Sequence, residues 1–218
     1  MSVGLELKEI ETLFTDNEGV FKFSRWNRPI VPIVFGVDDE TLVHLKTAIV
    51  TTVGITGNKI EETDPELGAN FMWFFCQDWD EILSIPDLKK LIPNIRDIVG
   101  KLESSSSKSY RIFAFDSMGG IKMCVQLIKV VEETAEMSIQ ALATGETFQC
   151  LLLFSRNAFI DESPIAQISK NNLCVPKPKY AALVRAAYDQ VLPVATQEKS
   201  HSLRLHARSK LLIAGINE

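Results

Sequence analysis

The stretch Asn70-Phe71-Met72-Trp73-Phe74-Phe75-Cys76 constrains this chain more than any other. It is a continuous apolar run bounded by turn residues, with no polar face to offer water. A half-exposed strand would alternate polar and apolar residues, so this one reads as a fully buried central strand. It is also far shorter than the ~18–20 apolar residues that a membrane span requires.

The flanking sequence supplies elements to cover such a strand. Leu5, Leu7, Ile10, Leu13 and Phe14 stand at mostly helical spacing, and Asn17-Glu18-Gly19 stops the helix. Val20 to Phe23 reads as a short strand. Ile30 to Phe35 is β-rich, and Pro32 within it marks an edge position or a bulge. Asp38-Asp39 caps a helix over 39–53 that faces Leu42, Leu45, Ala48, Ile49 and Val53 inward. Residues 78–102 read as helix interrupted by Pro86 and Pro93. Ser104 to Ser107 reads as a surface loop. Tyr110 to Phe115 and Ile121 to Val131, joined by Asp116-Ser117-Met118-Gly119-Gly120, form the clearest hairpin. Helix follows over about 136–155, then loop over 156–177. A helix over Lys179 to Tyr188 has Pro178 near its first turn, and a last helix runs from Ser200 to Ala214.

At 218 residues with 46% hydrophobic content, the chain has enough apolar material for one large core, which excludes a disordered chain. The expected fold class is α+β: a single mixed-sheet domain, 1–218, with flanking helices. Within it, 1–19 is an N-terminal helical segment, 20–155 the sheet-containing core and 156–218 a helical C-terminal portion. The net charge of −5 argues against nucleic acid as a partner, which calls for a clustered basic face. That charge is uneven. From residue 170 onward eight basic side chains stand against three acidic ones, leaving the first 169 residues at −10. The basic end reads as a solvated helix face, or as a surface for an acidic partner. Residues 1–16 contain no apolar h-region, which points to the cytoplasm, or to the periplasm or exterior for a chain that has lost a leader.

Chemistry-bearing residues are sparse. The histidines are His44, His201 and His206. His44 reads as a half-buried structural residue. On a helix His201 and His206 fall ~140° apart, so they do not form the paired zinc ligands of one face. Cys76, Cys124 and Cys150 lie in apolar runs and read as core thiols. Cys174, near Lys170 and Lys177, is the only candidate nucleophile. No phosphate loop or nucleophile elbow occurs. Trp26, flanked by Arg25 and Arg28, is the best candidate for an exposed binding aromatic, with a cation–π contribution from its neighbours.

Several short motifs carry a resemblance. Arg25-Trp26-x-x-Pro29 leads into a strand and a helix, and Gly68-Ala69-Asn70 leads into the apolar strand. The hairpin contains Gly119-Gly120-Ile121, and Tyr188-Asp189-x-Val191-Leu192-Pro193 closes the region. Together they resemble an uncharacterised bacterial family of zincin-like, degenerate metallopeptidase-like domains. In zinc peptidases of that architecture the hairpin's edge strand receives the substrate peptide and the next helix carries the metal ligands. Here that helix contains Gln140, Glu146 and Gln149 but no histidine. The resemblance therefore implies a pseudo-enzyme: no catalytic residues, no metal and no cofactor. The expected function is binding of a protein or peptide partner by strand addition along the 121–131 edge. A hydrolase using Cys174 and a structural subunit docking through its basic C-terminal helix are the alternatives.

Overall fold

In the computed structural model the described residues are 4–132, 138–168 and 173–215. The chain runs α1 (Leu7–Phe14), β1 (Phe23–Ser24), β2 (Pro32–Phe35), α2 (Asp39–Gly54) and β3 (Phe71–Cys76). A short 3-10 helix (Trp79–Ser84), α3 (Leu88–Leu91) and α4 (Ile95–Glu103) precede the hairpin β4 (Ser109–Phe115) and β5 (Ile121–Lys129). Then come α5 (Ile139–Cys150), β6 (Ile165–Ile168), β7 (Leu173–Pro176), α6 (Pro178–Ala187), β8 (Ala195–Thr196) and α7 (His201–Ala214).

The main sheet has the order β2-β3-β5-β4. β3 pairs in parallel with both β2 and β5, whereas β4 pairs antiparallel with β5. The apolar run thus occupies the interior position its composition requires. Its odd-numbered residues, Phe71, Trp73 and Phe75, pack with Leu45, Ile49, Ala143 and Phe148 of α2 and α5. Its even-numbered residues, Met72, Phe74 and Cys76, pack with Trp79, Ile82, Leu88, Ile95 and Val99 from the 3-10 helix, α3 and α4. The result is a mixed sheet between two helical layers, a single α+β arrangement.

Local chemistry explains the boundaries. Asp38 caps α2 by accepting the Thr41 N–H at 2.8 Å. Pro86 and Pro93 split the second helical layer, so α3 is only four residues long. Gly36 ends β2 at φ +84°, where an added Cβ would lie 2.2 Å from the Phe75 carbonyl oxygen.

Two expectations are corrected. The 121–131 segment is not an edge, because β5 is hydrogen-bonded to β3 on one side and to β4 on the other. The free edges are β2 and β4. The 156–177 stretch, expected to be loop, contains the antiparallel pair β6–β7, so the C-terminal portion is not wholly helical. Expected helix residues 136 and 137 lie outside the described residues.

Candidate functional site

A wide opening lies beside β2. A groove of about 1060 Å³ runs between that strand and the 3-10 helix and α3. Its existence follows from the short α3, which stops before it can cover β2. Ile33 and Phe35, 37% and 43% exposed, therefore project from the end of the sheet with no helix above them. Phe35 stacks on Phe74 with ring centroids 4.8 Å apart. Met72, Leu88 and Leu91 complete the apolar lining. Glu62, Glu81 and Asp87 stand around it against Lys90, so the rim is acidic. Lys90 is itself paired with Asp87 at 2.6 Å.

The backbone of β2 adds polar groups to this apolar setting. Phe71 N–H donates to the Val31 carbonyl at 3.1 Å. Alternate residues of a parallel strand bond to the same neighbour, so Ile33 and Phe35 turn their backbone groups toward β3. The N–H and C=O of Val34, and the C=O of Pro32, face outward. Two residues before Pro32 that outer side is occupied: Ile30 N–H donates to Lys59 O at 2.9 Å, and Glu61 N–H to Ile30 O at 3.1 Å. Beyond this bridge no described strand pairs with the outer side of β2, and Pro32 has no N–H to lose there.

A buried polar knot fixes the edge. Asn70 accepts the Val31 N–H at 2.8 Å and donates to Pro29 O and to Asp64 Oδ2, both at 2.9 Å. Asp64 in turn accepts the N–H groups of Glu66 and Leu67, at 2.9 and 2.8 Å. Burial pushes the Asp64 carboxyl up. The two N–H groups, Asn70 and the Arg28 guanidinium outweigh that and hold it below the usual carboxylate range. Arg28 also bonds Glu66 at 3.0 Å. The loop that brings Leu67 to the groove wall is thereby tied to the start of β2.

The sequence-based candidates separate under this geometry. Trp26 is 1% exposed, with its indole N–H donating to the Cys150 carbonyl at 2.8 Å, so it is a core residue rather than an exposed binding aromatic. Arg25 lies against the Tyr188 ring at 5.6 Å, whereas Arg28 pairs with Asp64 and Glu66. Burial lowers the Arg25 pKa from its usual value. Cys174 sits in β7 and is buried, not in an open loop, which removes the exposed setting a reactive thiol needs. His44 is exposed on α2 instead of half-buried. The Val34 edge was missed because exposure of one strand end depends on where a distant helix stops, although Pro32 signalled it.

The opposite edge is built differently. Gln126 on β5, Arg111 on β4 and Glu146 on α5 converge. Glu146 accepts from Arg111 at 3.1 Å and from Gln126 at 2.8 Å. Cys150 Sγ lies 3.4 Å from the Gln126 side-chain oxygen Oε1. This network clamps α5 to the sheet and occupies its one acidic side chain. Among the described residues no cluster of three or more His, Cys, Asp or Glu is poised around a metal position. No described helix is long and apolar enough to cross a membrane. Comparison with protein-family models, curated proteins and solved structures gave no match to the chain.

Proposed function

We propose that the protein is a non-catalytic, zincin-like domain that binds an extended peptide segment of a partner protein by strand addition at the outer edge of β2. One observation carries the proposal: outward-facing backbone groups of Val34 and Pro32 coincide with an apolar groove beside the same strand. An added strand would satisfy the backbone groups, while its alternate side chains entered the groove against Ile33, Phe35 and Met72. A purely apolar small molecule would fill the groove and leave the Val34 N–H and C=O without partners. The acidic rim favours basic side chains on the occupant. The zincin-like component is supported by the order of elements, in which an antiparallel edge strand and its hairpin partner are followed by a helix lying on the sheet. That helix places Glu146 in an ion pair and carries no histidine.

The test uses a fluorescent octapeptide of alternating leucine and lysine, with hydrogen exchange read by NMR. Saturable binding, protection of the Val34 amide and at least tenfold weaker binding to folded Phe35→Asp are expected. No saturable binding, unchanged affinity in that variant, or protection of the Arg111 and Phe113 amides on β4 instead, would overturn it.

A further inference from the structure

A second surface, on the far side of the core from the groove, has an equally specific composition. α7 buries His201, Ser202, Leu205, Ser209 and Ile213, and packs on α1 and α6. Its outer face is not the polar face expected of a surface helix. Leu203 and Leu211 are 54% and 73% exposed. At about 100° per residue, Leu203, Ala207, Leu211 and Ala214 share an arc of about 80°. Lys210 borders that arc on one side and Arg204 on the other. The remaining cations are spent: Lys199 pairs with Glu11 at 2.9 Å and Arg208 with Asp189 at 2.7 Å. Among the described residues no carboxylate forms an ion pair with Arg204 or Lys210.

We propose that this outer face of α7 is a docking surface for an acidic amphipathic helix of a partner protein. The two leucines stand eight residues apart, about 12 Å along the axis, the span of two helical turns. A helix laid alongside would meet both, and Ala207 between them and Ala214 one turn beyond let the backbones approach closely. Charge selects the occupant. A second copy of this chain would bring Arg204 and Lys210 against their own equivalents, a like-charge contact that opposes self-association. An anionic lipid surface would attract two cations but repel a body whose first 169 residues carry −10. Glutamates flanking an apolar stripe satisfy both the leucines and the cations.

The experiment measures fluorescence anisotropy of a 21-residue helical peptide, with leucine at its a and d positions and glutamate at e and g, added to the full chain. Its counterpart with lysine for glutamate and vesicles of phosphatidylserine and phosphatidylcholine run in parallel. Expected are saturable binding of the acidic peptide, at least tenfold preference over the lysine peptide, and at least tenfold loss in Leu211→Ser. Arg204→Glu should lose a similar factor with an unchanged circular dichroism spectrum, since both positions are exposed. Absence of acidic-peptide binding, equal binding of the two peptides, affinity unchanged in both variants, preferential vesicle binding, or a dimer in sedimentation that Leu211→Ser dissolves would overturn the proposal. The groove is untouched by these variants, so the two tests fail or succeed separately.

Discussion

At the scale of single residues, the polar group with most at stake is Asn70. It is fully buried, and its amide serves one donor and two acceptors that have no water to turn to. Asn70→Ala should cost about 3 kcal/mol in urea unfolding, because it leaves the Val31 N–H, the Pro29 carbonyl and part of the Asp64 carboxylate without that partner. Arg28→Ala, which removes an ion pair to half-exposed Glu66 at 3.0 Å and a longer one to buried Asp64 at 3.4 Å, should cost about 1 kcal/mol, less than loss of the amide. Equal losses would mean that the ion pairs, not the amide, hold the loop. The contrast between Trp26 and Phe35 shows how little a lone aromatic reveals. Trp26 sits among arginines, yet faces inward because Cys150 offers its N–H a carbonyl. Phe35 looks like a core residue in sequence, yet stands at the groove.

At the scale of elements, sequence periodicity recovers most of the architecture. The apolar run of β3, the capped helix α2, the hairpin and the proline-led α6 all lie where the residue pattern places them, within a few positions. Pairing partners were not legible. A hairpin specifies that β4 and β5 meet, not which of them also meets β3. A signal existed: Met123-Cys124-Val125 and Leu127-Ile128 make β5 nearly as continuously apolar as β3, whereas β4 carries Tyr110 and Arg111. The same logic of burial on two faces assigns β5 to the interior. The groove was less accessible still, since it depends on where α3 ends relative to a strand more than fifty residues earlier in the chain. The turn after β2 is testable at this scale. Gly36→Ala should destabilise by at least about 2 kcal/mol in thermal or urea unfolding, since φ +84° is unfavourable for alanine and its Cβ would overlap the Phe75 carbonyl. A loss below about 0.5 kcal/mol would show that the β2–β3 pair shifts freely.

At the scale of the whole molecule, the stability of the fold is tied to one uncharged imidazole. His201 is 1% exposed, lies 4.4 Å from the Phe23 ring between centroids, and has neither ring nitrogen hydrogen-bonded. Burial, with Arg204 and Arg208 nearby, pushes its pKa down to about 4. In the unfolded chain it titrates near ~6.5. Between those values the unfolded state binds the proton and the folded state does not. Stability from this residue is therefore intact above pH ~6.5 and falls as pH drops toward 4, by up to about 3 kcal/mol. The difference between the urea stability curves of the wild type and His201→Phe, measured from pH 7.5 to 4, isolates this contribution. A flat difference would refute it. A separate consequence belongs to the order in which the chain is made. The β4–β5 hairpin is a local pairing, whereas β2–β3 and β3–β5 each join segments about 40 to 50 residues apart and must first close long loops. During synthesis β2 and β3 are made before the hairpin, so until β5 follows the β2–β3 pair has no strand on its other side. The edge proposed to capture another chain in the finished protein is thus also the first strand of its sheet to leave the ribosome, where a chaperone can recognise it while the rest of the sheet is still being made.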